Sequence, residues 1–445
     1  MAVRSLILAG AAVAAVALGV SGCTAISNAF SGQEPPLPGT RVSVLSLEGK
    51  VTADPRIASV QVQLPSPYLN TAWPTAGGHP THAMHHLSLP DRVAVAWRVD
   101  LGTGANRERR MAAAPVVSDG IVFALDAAGT LSAYRATNGV RLWTKDLVPA
   151  REDRGAIGGG LAVDAGVLYA STPYGEMMAM DAASGKEIWR RSLGVPLRGS
   201  PTVSAARVFV ISHDNRLHAL AIDTGAELWT HEGIQETAAL VGGGAPAVAG
   251  DTVIVPYSSG ELFALRVTDG RELWSDALSR AGLLTPLAQM SDIGGLPVVD
   301  RGVVFAVGHA GRMIAEDIRT GARIWEQDYS SLQTPWIAGD FLFLVTVDAD
   351  VVAISRVDGR VRWVHHLARF GNETKRTGPI SWTGPVLAGD RLVLASTTGD
   401  IVALSPYSGD LLGTQRVSGG VSVPPVVADG TLYIVTDTAA LYAMR

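Results

Sequence analysis

Four histidines in a short segment are the side chains of this chain best placed for metal chemistry. The segment is Gly-Gly-His-Pro-Thr-His-Ala-Met-His-His and contains His79, His82, His85 and His86. Imidazoles at such short spacing can bind zinc or copper. However, no cysteine or carboxylate accompanies them, and the proline and glycines indicate a loop. We therefore favour a capping or surface role for this cluster over a metal site.

The motifs that usually carry catalysis are missing from the rest of the chain. There is no Gly-x-Ser-x-Gly turn for a serine nucleophile and no His-Glu-x-x-His zinc motif. The glycine triplets 158–160 and 242–244 lack the lysine of a phosphate-binding loop, so we interpret them as close-packed turns. The sequence therefore predicts no catalytic residues, no metal and no cofactor.

A repeat of tryptophan residues predicts the structural elements that would position any site. Seven tryptophans recur at intervals of 38 to 51 residues, and six of them follow a glycine by four positions. The seven are Trp97, Trp143, Trp189, Trp229, Trp274, Trp325 and Trp363. A fixed period of this length is typical of propellers and solenoids. We expect each indole to dock between neighbouring units and hold them together.

Each repeat predicts four short antiparallel strands. In residues 201–230, runs of β-branched and aromatic residues are interrupted by turns rich in Gly, Asp and Asn. No segment has the 3.6-residue periodicity of a core helix. A β-sandwich is the alternative, but a sandwich has no reason to repeat one turn at one interval.

The number of repeats predicts an all-β, eight-bladed β-propeller of four-stranded antiparallel blades over residues 93–445. Seven full repeats lie between Ala114 and Val417, and the last of them has Gly413 where a tryptophan is expected. The C-terminal residues 425–445 supply only three strands. The N-terminal strand around Trp97 would complete this last blade and leave no open sheet edge.

The N-terminal region predicts export and lipidation. Residues 1–22 contain Arg4, an apolar run and small residues, as in a secretory signal peptide, and this run is too short to span a membrane comfortably. Cys23 is the single cysteine, and Val20-Ser-Gly-Cys23 resembles a bacterial lipobox. We expect a lipidated Cys23, a flexible tether over residues 23–39, and an extension over residues 40–92 that packs on the propeller.

Composition argues against nucleic-acid binding. Charged residues make up 17% of the chain and hydrophobic residues 47%, with a formal net charge of −5. Such a chain can bury a large core, and it has no basic excess to attract phosphates.

Two families share features with this chain. The repeat resembles that of quinoprotein alcohol dehydrogenases, which use pyrroloquinoline quinone and calcium. Their site has a vicinal disulfide, whereas this chain has only Cys23. Lipobox, tether and eight repeats without catalytic groups together resemble the BamB family, lipoprotein subunits of the outer-membrane β-barrel assembly machine. That resemblance implies a non-enzymatic scaffold on the periplasmic face of the outer membrane, which docks on BamA POTRA domains and assists unfolded outer-membrane proteins.

The same resemblance implies a docking surface. Members of that family bind their partner through two connections between blades. The first corresponds to Ser192-Leu-Gly-Val-Pro-Leu-Arg-Gly199, with Val195, Leu197 and Arg198. The second corresponds to residues 291–297, where Asp292 is kept and Gly294 replaces a second acid. Because connections from outer to inner strands emerge on one face, we expect both stretches to lie together.

Two alternatives remain open from the sequence. The chain could be a quinone-dependent dehydrogenase, or a propeller lipoprotein that binds peptides or glycans. Client peptides could bind a blade edge or the central channel.

Overall fold

The fold is almost entirely β-structure. The computed structural model describes residues 51–236, 244–278 and 292–445. Within these residues it contains eight four-stranded antiparallel sheets, one two-stranded hairpin and one short 3-10 helix, Pro55–Ile57. The prediction of an eight-bladed propeller is confirmed.

Blades 1 to 4 follow one another along the chain. Blade 1 comprises β2 to β5: Val116–Ser118, Ile121–Leu125, Thr130–Arg135 and Arg141–Asp146. Blade 2 comprises β6 to β9: Gly160–Asp164, Val167–Ser171, Glu176–Asp181 and Glu187–Ser192. Blade 3 comprises β10 to β13: Thr202–Ser204, Arg207–Ile211, Arg216–Ala221 and Glu227–Glu232. Blade 4 comprises β14 to β17: Ala247–Ala249, Thr252–Pro256, Glu261–Arg266 and Glu272–Ala277.

Blades 5 to 8 complete the ring, and an N-terminal strand closes it. Blade 5 comprises β18 to β21: Val298–Asp300, Val303–Val307, Met313–Asp317 and Arg323–Gln327. Blade 6 comprises β22 to β25: Trp336–Ala338, Phe341–Val345, Asp350–Ser355 and Val361–His366. A hairpin follows as β26 and β27: Phe370–Asn372 and Thr377–Pro379. Blade 7 comprises β28 to β31: Trp382–Ala388, Arg391–Ser396, Asp400–Leu404 and Leu411–Arg416. Blade 8 comprises β32 to β34 with β1 as its outer strand: Val426–Ala428, Thr431–Val435, Ala440–Met444 and Val95–Asp100.

The hydrophobicity of each strand matches its position in the blade, from the buried inner strands to the exposed outer strand. The first strands of consecutive blades contact one another and surround the centre of the ring. The second strand of blade 6, Phe341–Val345, is buried at every residue because both of its faces pack against neighbouring sheets. The fourth strand of blade 1, Arg141–Asp146, alternates between exposed and half-buried residues, as expected at the rim.

Each tryptophan joins its blade to the next one. In all seven cases the indole Nε1–H donates to the carbonyl three residues before a turn glycine of the following blade, at 2.7 to 3.1 Å. Trp229, for example, bonds the oxygen of Val267 and lies against Gly270. Gly270 has φ of 72°, and a Cβ added there would lie 2.4 Å from the ring. Glycine is thus required both for the turn and for the close approach of the indole.

The seam between blades 7 and 8 is the exception. Gly413 occupies the tryptophan position of β31 and pairs with Ala403, as Trp363 pairs with Ala353 in blade 6. In blade 8 the third strand comes from the C-terminus and the fourth strand is β1, so no turn joins them. The receiving glycine turn therefore does not exist at this seam, and a tryptophan at position 413 would have no partner.

Residues 51–92 lie on the face opposite the connections between blades. Hydrogen bonds join residues 70–87 to positions in or beside the first strand of every blade. The partners are Val117, Val163, Pro201, Val248, Val299, Trp336, Leu387 and Val427. These first strands are the inner sheet edges, so the extension satisfies backbone groups that would otherwise face the channel.

The leader over residues 1–22, Cys23, the tether to residue 39 and residues 40–50 lie outside the described residues. Among the residues that are described, no helix has the length and apolar character needed to cross a bilayer.

The indole seams generate a stability prediction. Replacing Trp229 with Ala removes an inter-blade ring and its hydrogen bond to Val267, and should lower the free energy of unfolding by about 3–5 kcal/mol. Urea denaturation followed by circular dichroism measures this loss. The matched control is Leu228→Ala, because Leu228 is 48% exposed and its truncation should change stability by about 0.5 kcal/mol or less. Equal stability of the two variants would contradict the role of the seam.

Candidate functional site

The first predicted docking stretch is the connection from blade 2 to blade 3. The Leu197 N–H donates to the Thr172 oxygen at 3.2 Å, and the Arg198 N–H donates to the Ile211 oxygen at 2.9 Å. These bonds fix the stretch against a turn of blade 2 and a strand of blade 3. Val195 is half-buried and Pro196 is exposed, whereas Leu197 and Arg198 are completely buried. Only the beginning of the stretch is accessible in this structure.

The second predicted stretch meets the first one directly. Arg198 Nη2 donates to Asp292 Oδ2, which lies on the connection from blade 4 to blade 5. Both side chains are buried, at 0% and 2% exposure. Sequence reasoning placed Val195, Leu197, Arg198 and Asp292 together as surface contacts. The structure does bring Arg198 and Asp292 together, as a buried ion pair, and it buries Leu197 as well; partner binding by these residues stays a prediction.

Two histidines flank this ion pair. Burial lowers the pKa of His213, and the charge of Arg198 lowers it further. Burial also lowers the pKa of the His309 imidazole, and the backbone N–H of His309 donates to the backbone oxygen of Asp292 at 2.9 Å. Both imidazoles are therefore neutral near pH 7. Arg198 Nε and Nη1 are buried and have no hydrogen-bond partner among the described residues.

The histidine cluster of residues 79–86 fixes the extension to the ring. His82 Nδ1 lies 2.7 Å from the Pro297 oxygen, and burial lowers the pKa of His82 to about 4. His86 Nδ1 lies 2.8 Å from the Pro65 oxygen, and its Nε2 accepts the Asp390 N–H. The four imidazoles thus point to different partners. No group of three or more His, Cys, Asp or Glu side chains in the described part of the chain could hold a metal ion.

The ring centre is filled on the side of the extension. Trp73 of the extension exchanges two backbone hydrogen bonds with Val117 of blade 1, and its ring stacks on Trp336 of blade 6 at 6.2 Å. Leu87, next to them in the same core, has no exposed surface. One face of the Trp336 ring is therefore covered by Trp73.

A serine, a histidine and a glutamate in blade 3 form an arrangement that sequence motifs did not reveal. Ser212 Oγ lies 3.3 Å from His218 Nε2, and His218 Nδ1 lies 2.8 Å from Glu227 Oε2. However, Ser212 has no exposed surface and its hydroxyl also contacts Asp214 and the Arg216 oxygen. A substrate carbonyl cannot reach this hydroxyl, so the arrangement is a hydrogen-bond network of the blade rather than a nucleophilic site.

Comparison with known proteins identifies the family. A family model described as outer membrane protein assembly factor BamB matches residues 91–153, 128–365 and 367–445, which together cover nearly the whole ring. The chain belongs to the BamB family. The match begins just before β1 and leaves out residues 51–90, so the extension is outside the part that the family model describes.

Curated BamB relatives cover most of this chain. The assembly factor BamB of Salmonella typhimurium is 28% identical over 358 residues, which are 78% of this chain and 88% of the relative. That of Shewanella oneidensis is 26% identical over 348 residues, which are 76% of this chain and 86% of the relative. The Escherichia coli protein is 26% identical over 359 residues, which are 78% and 88% of the two chains.

Solved structures share the fold across different functions. The crystal structure of BamB from Moraxella catarrhalis has a TM-score of 0.68 and 21% identity, and covers 80% of this chain and 100% of that chain. Quinohemoprotein alcohol dehydrogenase from Comamonas testosteroni has a TM-score of 0.65 and 15% identity, and covers 84% of this chain and 80% of that chain. Because BamB and a dehydrogenase both match, the fold alone does not distinguish a scaffold from an enzyme.

The buried ion pair generates a second prediction. Replacing Arg198 with Glu places a second carboxylate against Asp292, and should lower the free energy of unfolding by about 3–5 kcal/mol. Thermal and urea denaturation of this BamB chain measure the loss. Arg207→Glu is the matched control, because Arg207 lies in the adjacent blade 3 without an ion pair among the described residues. A stable Arg198→Glu variant would show that the pair contributes little.

Proposed function

We propose that this BamB chain is a non-enzymatic, lipid-anchored scaffold of outer-membrane protein assembly on the periplasmic face of the outer membrane. In this proposal it docks on the POTRA domains of BamA and assists unfolded outer-membrane proteins. The observation that carries the proposal is the family match over nearly the whole ring. The names of the relatives, outer membrane protein assembly factor BamB, support the biological process.

The connection face is the surface that we propose for docking. It carries the connections between blades, including residues 193–200 and Asp292, on the side away from the extension. The Arg198–Asp292 pair joins two connections that are 94 residues apart in the chain. We infer that this pair positions the stretch, while the accessible Val195 and Pro196 contact the partner.

Two observations favour a scaffold over an enzyme. The extension fills the ring centre on its own side, where Trp73 stacks on Trp336. The serine of the Ser212, His218 and Glu227 arrangement is inaccessible.

The extension also restricts where client proteins could bind the ring. Because residues 70–87 already bond the inner edges, an extended client would reach the ring from the connection face or the rim.

Docking predicts a specific effect of charge at Val195. Val195→Glu puts a charge into the accessible part of the stretch and should weaken binding to purified BamA POTRA domains at least about tenfold, which is about 1.4 kcal/mol. Val140→Glu is the matched control, because Val140 is 49% exposed on the opposite face. Isothermal titration of the full chain in detergent measures both. The wild type must bind for the proposal to stand. Equal affinities of the two variants would show that Val195 is not part of the contact.

Lipidation predicts a modified N-terminus. We propose that Cys23 carries acyl chains, since each buried methylene contributes about 0.8 kcal/mol to membrane attachment. Metabolic labelling with palmitate should mark the wild-type chain and not the Cys23→Ser variant, and the variant should leave the membrane fraction. A labelled variant, or an unchanged membrane fraction, would refute this anchor.

A further inference from the structure

A small apolar cavity opens on the connection face between blades 1 and 2. Its volume is about 40 Å³. Alanine, leucine and isoleucine side chains form about half of its wall, among them Leu125, Leu147 and Ile157, and Asp126, Ser171, Thr172 and Tyr174 also line it. The space exceeds what one water molecule needs. It is also much smaller than the roughly 300 Å³ at which small-molecule pockets begin. Its size and lining therefore suit a single aliphatic group.

Arginines surround this cavity. Arg110 lines it, and Arg109 Nε lies 4.0 Å from a Cβ placed on Gly155 in the adjoining connection. Arg109 Nε has no hydrogen-bond partner, and neither Arg109 nor Arg110 is in an ion pair within the described residues. The connections 101–115 and 147–159 together hold five arginines and three acids, in a chain of net charge −5. Arg154, one of the five, pairs with Asp146, so the arginines at the rim without an ion pair in the described residues include Arg109 and Arg110.

The carboxylate nearest the cavity is already occupied. Asp126 also lines the wall, but its oxygens accept the N–H groups of Thr103, Ala128 and Thr130 at 2.7 to 2.9 Å. These bonds hold Asp126 in the turn. Neither Arg109 nor Arg110 forms an ion pair with Asp126 or with any other described residue, and Arg110 is exposed, so an outside carboxylate could pair with it.

The cavity is continuous with the Val195 stretch. The turn 172–175 forms one wall, and its Thr172 and Gly175 oxygens accept the N–H groups of Leu197 and Leu193. Gly158 lines the cavity as well, and a Cβ added there would lie 2.8 Å from the Leu197 oxygen. The cavity and the Val195 stretch therefore share the turn that begins at Thr172.

We propose that this cavity is an anchor site for the docking partner, which inserts one aliphatic side chain flanked by a carboxylate. The aliphatic group fills the apolar space, and the carboxylate pairs with Arg109 and Arg110. An apolar anchor in a small pocket beside an arginine is the usual composition of an interface hot spot. The inference rests on the docking proposed above, and extends the surface from the connection of blades 2 and 3 to that of blades 1 and 2.

Two variants at exposed positions test the two halves of the site. Ala156→Trp covers the cavity with a large ring, and Arg110→Glu reverses the charge at its rim. The matched controls are Ala183→Trp and Arg141→Glu, which lie exposed on the opposite face. Binding of the full chain to BamA POTRA domains is measured by isothermal titration in detergent. We expect each site variant to raise Kd at least about tenfold and each control to change it less than about twofold. Raising the salt concentration should weaken the wild type more than Arg110→Glu.

The outcomes separate this inference from the proposed function. If the wild type binds and both site variants bind equally well, the anchor site is wrong while docking stands. If Val195→Glu loses binding but Ala156→Trp and Arg110→Glu do not, the surface ends at the Val195 stretch and the inference fails. If the wild type does not bind, the proposed function fails and the anchor site with it. Circular dichroism and melting temperature check that Ala156→Trp is folded, and Arg110→Glu alone suffices if it is not.

Discussion

The contact between an indole and a glycine turn is the interaction on which the rest of this structure depends. Each blade alone is a small sheet with two apolar faces, and it becomes stable only when neighbours cover both faces. The tryptophan covers apolar surface at the seam, and its Nε1–H bonds a carbonyl that the turn leaves free. The glycine has to lack a side chain for the ring to reach that carbonyl. One residue pair therefore fixes both the spacing and the orientation of consecutive sheets.

The seam between blades 7 and 8 lacks this contact because of the way the ring closes. Blade 8 takes its outer strand from the N-terminal side, so the turn that would receive an indole is missing, and Gly413 stands at the tryptophan position. Residues 93 and 94, just before β1, form hydrogen bonds near this seam. The Gln415 Nε2–H donates to the Val93 oxygen at 3.0 Å, and the Ala94 and Arg445 backbones exchange two hydrogen bonds. Residues leading into β1 thus occupy the place of the absent turn.

The extension and the connections divide the ring into two faces with different chemistry. On one face, residues 70–87 bond the inner strands and stack Trp73 on Trp336, so backbone groups there are satisfied within the chain. On the other face, Arg198 and Asp292 hold two distant connections together, and Arg109 and Arg110 form no ion pair with a described residue. Arginines without an ion pair beside a small apolar cavity favour recognition on the connection face.

The sequence by itself determined the fold class, the blade number and the position of the closing strand. Those properties depend on local spacing, because a turn glycine, a tryptophan four residues later and short β-branched runs specify one unit wherever they occur. Tertiary structure alone decided that each glycine receives the ring of the preceding blade, that residues 51–92 follow the inner strands, and that Arg198 is buried against Asp292. These contacts join residues about 40 to 360 positions apart. Composition and periodicity carry no information about pairs at such distances, which come together only when the ring closes.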